Sequence, residues 1–186
     1  MIPRDSAAIG TLGVDAVVEC FNQCFASVEN TLLCGGGSEP YYEPAVGDRC
    51  ARVVFRCDYI RSALHEVAHW CHAGPYRRQL PDYGYWYSPD DRGLEQQAAF
   101  FAVEARPQAL ESLFCEALGI PFRPSVDNLS LEISEQALIH FEDRLEKVRT
   151  DYRRRGLPAR AQRFVEALTV HAAAQTSAIQ AGPIQA

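Results

Sequence analysis

The apolar positions of residues 58–74 repeat at the spacing of an α-helix. Asp58 is a favourable N-cap because its carboxylate can accept a hydrogen bond from the first turn, and Gly74 suits the left-handed position past a helix end. At about 100° per residue, one side of this helix carries Ile60, Ala63, Leu64, Val67 and Cys71. The opposite side carries His65, His69 and His72. The pattern therefore predicts a helix with one face for packing and one for chemistry.

The remaining patterns predict a mainly helical α+β protein with a small sheet. Apolar residues at helical spacing, favourable N-caps, prolines at first helical positions and glycines beyond the ends indicate further helices. We place these helices at 14–29, 94–104, 107–118, 134–155 and 158–173, and two strands at 31–34 and 52–56. Residues 40–47 are predicted to form a loop. One folded domain then spans 14–173, between a loose N-terminus (1–13) and a disordered tail (174–186).

Composition and charge narrow the possible functions. With 186 residues, of which 47% are hydrophobic and 23% charged, the chain has the size and composition of one soluble globular domain. The formal net charge of −6 argues against nucleic acid as a direct partner. The seven cysteines form no C-x-x-C pair, so we expect reduced thiols. No stretch has the pattern of a signal peptide or a membrane span, which predicts a cytoplasmic protein without a membrane partner.

His65, Glu66 and His69 form an H-E-x-x-H pattern within the predicted helix. This spacing puts two imidazoles one turn apart, close enough to ligate one divalent ion. The alternative is a surface helix with polar side chains, but the pattern, the helical context and the capping residues together favour a metal site. His72 lies on the same face but about 10 Å along the axis from His65, too far to share one ion. We interpret His72 as a neighbour of the site or as an exposed side chain.

A site with two histidines needs a third ligand, and Glu104 is the main candidate. Phe100 and Phe101 precede it by four and three residues and so lie on its side of the predicted helix. A carboxylate beside aromatic rings is either a charge that reaches solvent or a buried group with a partner. We choose the buried alternative and predict that Glu104 is the third ligand. The competing carboxylates are Glu95, Glu111 and Glu116.

An aromatic run follows the predicted helix at 58–74 in a turn-rich segment, with the sequence DYGYWY at 82–87. Its tyrosines alternate around Trp86, which predicts either a half-buried strand or an edge that lines the mouth of the site. The acidic residues of the segment suit turns and caps better than metal coordination. They are Asp82, Asp90 and Asp91.

Three longer motifs occur in the order HEVAHWCHAG, DYGYWYSPDDR and VEARPQALE. In these motifs the chain resembles the hydroxylases of bacterial elongation factor P, and the similarity extends over most of residues 14–170. The resemblance implies a zincin-like fold around an iron site of two histidines and one carboxylate. It also implies a reaction on the lysine of elongation factor P that already carries a β-lysyl group. Matched motif by motif, the histidines are His65 and His69, and Glu104 is the assigned carboxylate.

Two classes of enzyme use such a donor set. A zincin-type metallopeptidase would use Glu66 as general base on a water bound to Zn²⁺. An oxygenase would bind Fe(II) through two imidazoles and one carboxylate and keep open positions for O₂. A non-catalytic binding module stabilised by a metal is a third alternative. The resemblance favours the Fe(II)- and O₂-dependent hydroxylase, in which Glu66 orients a ligand or a substrate amine and Zn²⁺ or another divalent ion can also occupy the site.

The aromatic segment suits this hydroxylase better than a peptidase cleft. Tyrosine and tryptophan faces can hold an alkyl-ammonium chain by cation–π contacts and apolar packing. An acidic protein also attracts the doubly cationic arm of a β-lysylated lysine. We therefore predict that Tyr85, Trp86 and Tyr87, with Asp82 beside them, contact the substrate.

Overall fold

The computed structural model describes residues 13–57, 59–84, 93–126 and 133–180. The helices are α1 (Val14–Phe25), α2 (Ile60–His72), α3 (Leu94–Leu118), α4 (Glu135–Arg155) and α5 (Ala159–Gln180). The strands are β1 (Thr31–Gly37), β2 (Tyr41–Glu43) and β3 (Ala51–Arg56). Two short 3-10 helices, Arg77–Gln79 and Pro81–Gly84, follow α2. The predicted fold class, a mainly helical α+β single domain with a small sheet, is confirmed.

The sheet has the strand order β1-β3-β2, with β3 parallel to β1 and antiparallel to β2. Alternate residues of β3 point into the core, where Val53 and Phe55 are buried while Arg52 is exposed. Strand β2 lies in the segment predicted as a loop. Three residues are too few to show an alternating pattern, so only the pairing with β3 defines this strand. Because β3 ends four residues before Ile60, the sheet determines where α2 begins.

The apolar face of α2 forms the centre of the core. Leu64, Val67 and Trp70 have no exposed area. The Trp70 ring packs on two rings of α1. Its centroid lies 5.0 Å from that of Phe21 and 4.8 Å from that of Phe25. Burying a large apolar side chain contributes about 1.5–3 kcal/mol. This packing holds one face of α2 against α1 and turns the histidine face towards α3.

The C-terminal end of α2 is held by Arg160 of α5. Its guanidinium donates hydrogen bonds to the carbonyl oxygens of Trp70, Cys71 and Ala73, and it stacks over the Trp70 ring at 4.7 Å. These carbonyls lie at the helix end, where intrahelical donors are no longer available. A cation there also interacts favourably with the negative end of the helix dipole. The histidine-bearing helix is therefore fixed at its end as well as along its face.

The prediction of two helices at 94–104 and 107–118 is wrong, because these residues form the single helix α3 with Pro107 inside it. An internal proline removes one hydrogen bond and costs about 3 kcal/mol. Buried residues on both sides of it, Ala105, Gln108 and Ala109, hold the helix in the interior. Tertiary packing thus outweighs the local preference for a break.

Other helix boundaries also differ from the prediction. Helix α1 ends at Phe25 rather than near residue 29, since Val28 is 60% exposed and does not join the core. The N-cap of α2 is Tyr59 instead of Asp58, which lies outside the described residues. Helix α5 continues to Gln180, so residues 174–180 are helical and not a disordered tail. The last part of α5 contains Ala172, Ala173, Ala174 and Ala178, and alanine is the strongest helix former.

Residues 1–12 and 181–186 of the predicted loose ends lie outside the described residues. A lipid bilayer could not be spanned by any helix in the described ranges, given their length and polarity.

Candidate metal centre

Helices α2 and α3 bring three potential metal donors together. His65 and His69 lie one turn apart on the polar face of α2. Glu104 comes from α3, where it is 2% exposed. The packing of the two helices places the Glu104 carboxylate opposite both imidazoles. These three residues form a group that could hold a metal ion.

The spacing of the donors fits one ion. The Nε2 atoms of His65 and His69 are 3.1 Å apart. The Glu104 oxygens lie 3.6 Å from Nε2 of His65 and 3.3 Å from Nε2 of His69. Ligands about 2.1 Å from a shared ion are about 3.0 Å apart at right angles and about 3.4 Å apart in a tetrahedron. The observed separations therefore match those required of three ligands of one ion.

The other candidates from the sequence lie outside this donor group. Glu95 is exposed on the first turn of α3. Glu116 pairs with two arginines of α4 at the surface. His72 does not belong to the group, which agrees with its predicted distance along the helix. Glu111 contacts His65, but through the ring nitrogen that faces away from the donor group.

Glu111 orients His65. Its Oε2 atom is 2.9 Å from Nδ1 of His65, and its Oε1 accepts hydrogen bonds of 2.7 and 3.2 Å from Arg61. Arg61 also donates to the carbonyl oxygen of Arg123 at 2.6 Å. Nδ1 of His65 donates to the Glu111 carboxylate, which leaves Nε2 as the ring nitrogen that can bind a metal ion once it has lost its proton. A carboxylate behind a histidine is the usual arrangement at metal sites.

The sequence analysis considered Glu111 only as a ligand and did not identify Arg61. The sequence contains two signals that Arg61 and Glu111 belong near the donor group. Arg61 lies one helical turn before His65, and Glu111 lies two turns after Glu104, so each pair shares a helix face. Which ring nitrogen each carboxylate contacts depends on how α2 and α3 pack.

The buried charges shift the pKa values of the donors. Burial opposes protonation of His65, but the hydrogen bond to Glu111 and the charges of Glu104 and Glu111 raise its pKa to about 10. Burial also opposes ionisation of Glu104, but the facing His69 and His65 lower the pKa of its carboxyl to about 2. The metal-free group therefore pairs an ionised carboxylate with a protonated imidazole. A metal ion must displace this proton, so metal affinity increases with pH.

Glu66 lies beside the donor group. Burial raises the pKa of its carboxyl, the charges of His65 and His69 partly offset this rise, and Glu104 and Asp82 add to it. The carboxyl is therefore a weaker acid than an exposed one and is placed to accept a hydrogen bond or a proton. Its participation in catalysis remains a prediction.

The aromatic segment is described as far as Gly84. Asp82, Tyr83 and Gly84 have φ angles of 46°, 58° and 71°. A left-handed backbone costs a non-glycine residue about 1–3 kcal/mol. Two contacts with Tyr42 hold this turn: its N–H donates to Oδ1 of Asp82 at 2.8 Å, and its ring stacks on that of Tyr83 at 4.3 Å. Asp82 is thus a turn residue, and its contact with substrate remains a prediction.

The rest of this segment lies outside the described residues. It contains the predicted substrate contacts Tyr85, Trp86 and Tyr87 and the predicted turn residues Asp90 and Asp91.

A cavity of about 330 Å³ opens beside His69. Its walls are formed by the end of α2 and the following turn, residues 72–77, together with His69 and Tyr83. Tyr83 is 4% exposed, whereas Tyr76 is 74% exposed at the rim. The volume is at the lower end of the range of about 300–1,000 Å³ for small-ligand pockets. The cavity gives a molecule from solution access to one of the potential metal donors.

These features define an α+β protein in which two packed helices present two histidines and one carboxylate suited to a metal ion. The family model of elongation factor P hydroxylase matches residues 20–181, and the chain belongs to this family. The elongation factor P lysine hydroxylase of Haemophilus influenzae is 40% identical over 156 residues, which cover 83% of this chain and 86% of that protein. The resemblance seen in the three motifs is confirmed, and with it the expectation of an enzyme.

Glu104→Ala should abolish metal binding but leave the chain folded, because the core lies on the other face of α2. By isothermal titration calorimetry, Zn²⁺ affinity should fall by more than the roughly 10- to 100-fold loss typical of residues behind the ligands. His65→Ala and His69→Ala should act in the same way, and the surface control Glu116→Ala should bind like the wild type. Full binding in Glu104→Ala together with loss in Glu111→Ala would show that the carboxylate is misassigned.

Glu111→Gln should weaken Zn²⁺ binding by about 10- to 100-fold. The amide keeps the shape of the carboxylate and one of its two acceptor oxygens but removes the charge that strengthens His65 as a donor. Glu116→Gln is the matched control and should not change the affinity. If Glu111→Gln binds Zn²⁺ as tightly as the wild type, the contact between Glu111 and His65 serves only the fold.

Proposed function

We propose that this protein hydroxylates the β-lysylated lysine of bacterial elongation factor P, with Fe(II) as its metal and O₂ as oxidant. The proposal is carried by the convergence of His65, His69 and Glu104 in a member of the elongation factor P hydroxylase family. Two imidazoles and one carboxylate are the donor set of non-haem Fe(II) oxygenases. The relative from Haemophilus influenzae is named for hydroxylation of a lysine of elongation factor P.

The donor set fits iron in kind and in spacing. Imidazole suits iron, two histidines with one carboxylate form its usual oxygenase site, and the donor separations of 3.1 to 3.6 Å match ligands of one ion. Held by His65, His69 and Glu104, Fe(II) would supply the redox chemistry that activates O₂. The same donors suit Zn²⁺, which has no accessible redox change. The identity of the metal therefore decides between hydroxylation and hydrolysis.

The proposed reaction must balance in atoms and electrons. One oxygen atom of O₂ enters a C–H bond of the substrate to form a hydroxyl group, and the other is released as water. This change takes up two electrons and two protons in addition to O₂. We assign these electrons to a small-molecule reductant from solution.

Glu66 is assigned to the substrate amine. It follows His65 on α2, where it is half-buried, and partial loss of water makes its carboxylate costly to leave unpaired. A substrate ammonium beside it would replace the hydrogen bonds to water that the carboxylate has lost. It would also bring the adjoining carbon chain to the donor group. Meanwhile Glu111 keeps His65 in a fixed orientation as substrates enter and leave.

We propose that the cationic arm of the substrate enters through the cavity beside His69. The rings of Tyr83 and Tyr76 border this cavity, and aromatic faces attract alkyl-ammonium groups. We propose that Tyr85, Trp86 and Tyr87 contact the arm, and Asp82 would add a negative charge beside the cavity. The net charge of −6 would attract the doubly cationic arm over a longer range.

The proposal is tested by incubating β-lysylated elongation factor P with the Fe(II)-loaded protein, O₂ and a reductant such as ascorbate. Intact-protein mass spectrometry should show a gain of one oxygen atom. The Zn²⁺-loaded protein and an anaerobic reaction should give no product. Glu66→Gln, which keeps the size and hydrogen-bonding reach of Glu66, should lower the rate less than His65→Ala does.

The alternative of a zincin-type peptidase is supported by the half-buried Glu66 beside the donors, whose carboxyl has a raised pKa. A zincin-type peptidase needs a general base, whose removal costs about 10² to 10⁴ in rate. Zn²⁺-dependent cleavage of a peptide bond that is lost to this extent in Glu66→Gln would therefore replace the hydroxylase proposal.

Trp86→Ala should lower kcat/KM for the modified factor by about 2- to 30-fold, the range expected from losing a cation–π contact. Trp86→Phe keeps an aromatic face and should retain most of the activity. Zn²⁺ binding, measured by calorimetry, should be unchanged in both variants. Loss of metal or unfolding in Trp86→Ala would mean that the segment has a structural role instead.

A further inference from the structure

Tyr83 carries a buried hydroxyl group that has no hydrogen-bond partner in the described part of the chain. The residue is 4% exposed. Buried polar groups are nearly always hydrogen-bonded, because an unpaired one has lost its bonds to water without replacement. Four other buried atoms among the described residues also lack a partner, but none of their residues lines the cavity beside His69. Among these unpaired buried atoms, the Tyr83 hydroxyl therefore differs in belonging to a residue that lines the cavity beside His69.

The surroundings of Tyr83 keep its hydroxyl in place. Its ring stacks on Tyr42 with the two planes 13° apart, and the Tyr42 hydroxyl donates to the carbonyl oxygen of Arg78 at 2.8 Å. The carbonyl oxygen of Tyr83 accepts a hydrogen bond of 3.0 Å from Arg77. Its backbone is left-handed, which is unfavourable for tyrosine. A strained residue held by several contacts is typical of functional sites.

Tyr83 lies next to the metal donors. It lines the same cavity as His69, and the two rings are nearly parallel with their centroids 6.5 Å apart. The Glu66 charge also acts on the Tyr83 phenol. Tyr83 thus contributes a hydroxyl without a partner to the cavity that it shares with His69, and Glu66, one turn before His69 on α2, supplies a negative charge that acts on the same phenol.

A ligand that uses both groups must carry an ammonium for Glu66 and an acceptor oxygen for Tyr83. A β-lysylated lysine has both, because an amide carbonyl joins its two parts. An unmodified lysine has the amine but lacks this carbonyl. We infer that Tyr83 determines specificity for the aminoacylated lysine by donating a hydrogen bond to that amide carbonyl. The inference rests on the proposed function and identifies the side chain that distinguishes the modified factor from the unmodified one.

Tyr83→Phe tests this role, with Tyr42→Phe as a matched control that removes a partnered hydroxyl from the stacked ring. Calorimetry with the Zn²⁺-loaded protein should show a loss of about 2- to 12-fold in affinity for β-lysylated elongation factor P in Tyr83→Phe. Affinity for the unmodified factor and for Zn²⁺ should not change. In turnover with Fe(II), KM should rise by the same factor while kcat is retained.

Thermal unfolding separates recognition from a structural role. Tyr83→Phe removes an unpaired buried polar atom, so its Tm should equal or exceed that of the wild type. Tyr42→Phe breaks the hydrogen bond to the carbonyl oxygen of Arg78 and should lower Tm.

Several results would overturn the inference. One is unchanged affinity of Tyr83→Phe for the modified factor; another is an equal loss of affinity for both forms of the factor. A lowered Tm in Tyr83→Phe, or a wild type that does not prefer the modified factor, would do the same. The proposed function fails in a different way: if the preference depends on Tyr83 but no hydroxylated product forms, the reaction is wrong and the recognition role stands.

Discussion

Two carboxylates buried between α2 and α3 need partners for their charge, and the site depends on this constraint. Glu104 and Glu111 are each 2% exposed, and an ionised carboxylate is costly to bury without a partner. Glu104 faces both histidines, and Glu111 lies between His65 and Arg61. Removing one partner would leave an uncompensated charge in the interior. The contacts that compensate these charges therefore also set the helix separation at which the metal donors meet.

The turn that carries Tyr83 shows how a small strand can serve a site. Strand β2 has three residues, yet Tyr42 within it binds Asp82 through its backbone and stacks on Tyr83 through its ring. These contacts offset the strain of two left-handed non-glycine residues. The turn gives up local stability and leaves a hydroxyl unpaired beside His69. Such departures from local preference are expected where function constrains the chain.

Much of the fold followed from local patterns. Helix α2 was predicted with its two faces, because an apolar stripe at helical spacing can be buried in only one orientation. The break predicted near Pro107 is wrong, because a rule about single residues does not include the burial of Ala105 and Ala109 on either side. Strand β2 was missed because its pairing with β3 joins segments that are separate in sequence.

For the site, the sequence by itself determined that two potential metal donors lie on one helix, and it determined the family. His65 and His69 are neighbours in any regular helix, whatever surrounds it. Only the tertiary structure decided that Glu104 faces these donors while Glu111 lies behind His65, since the latter contact joins residues 46 positions apart. It also decided that the Tyr83 hydroxyl is buried without a partner. The physical reason is that helical spacing is a local property, whereas distances between packed elements depend on the whole core.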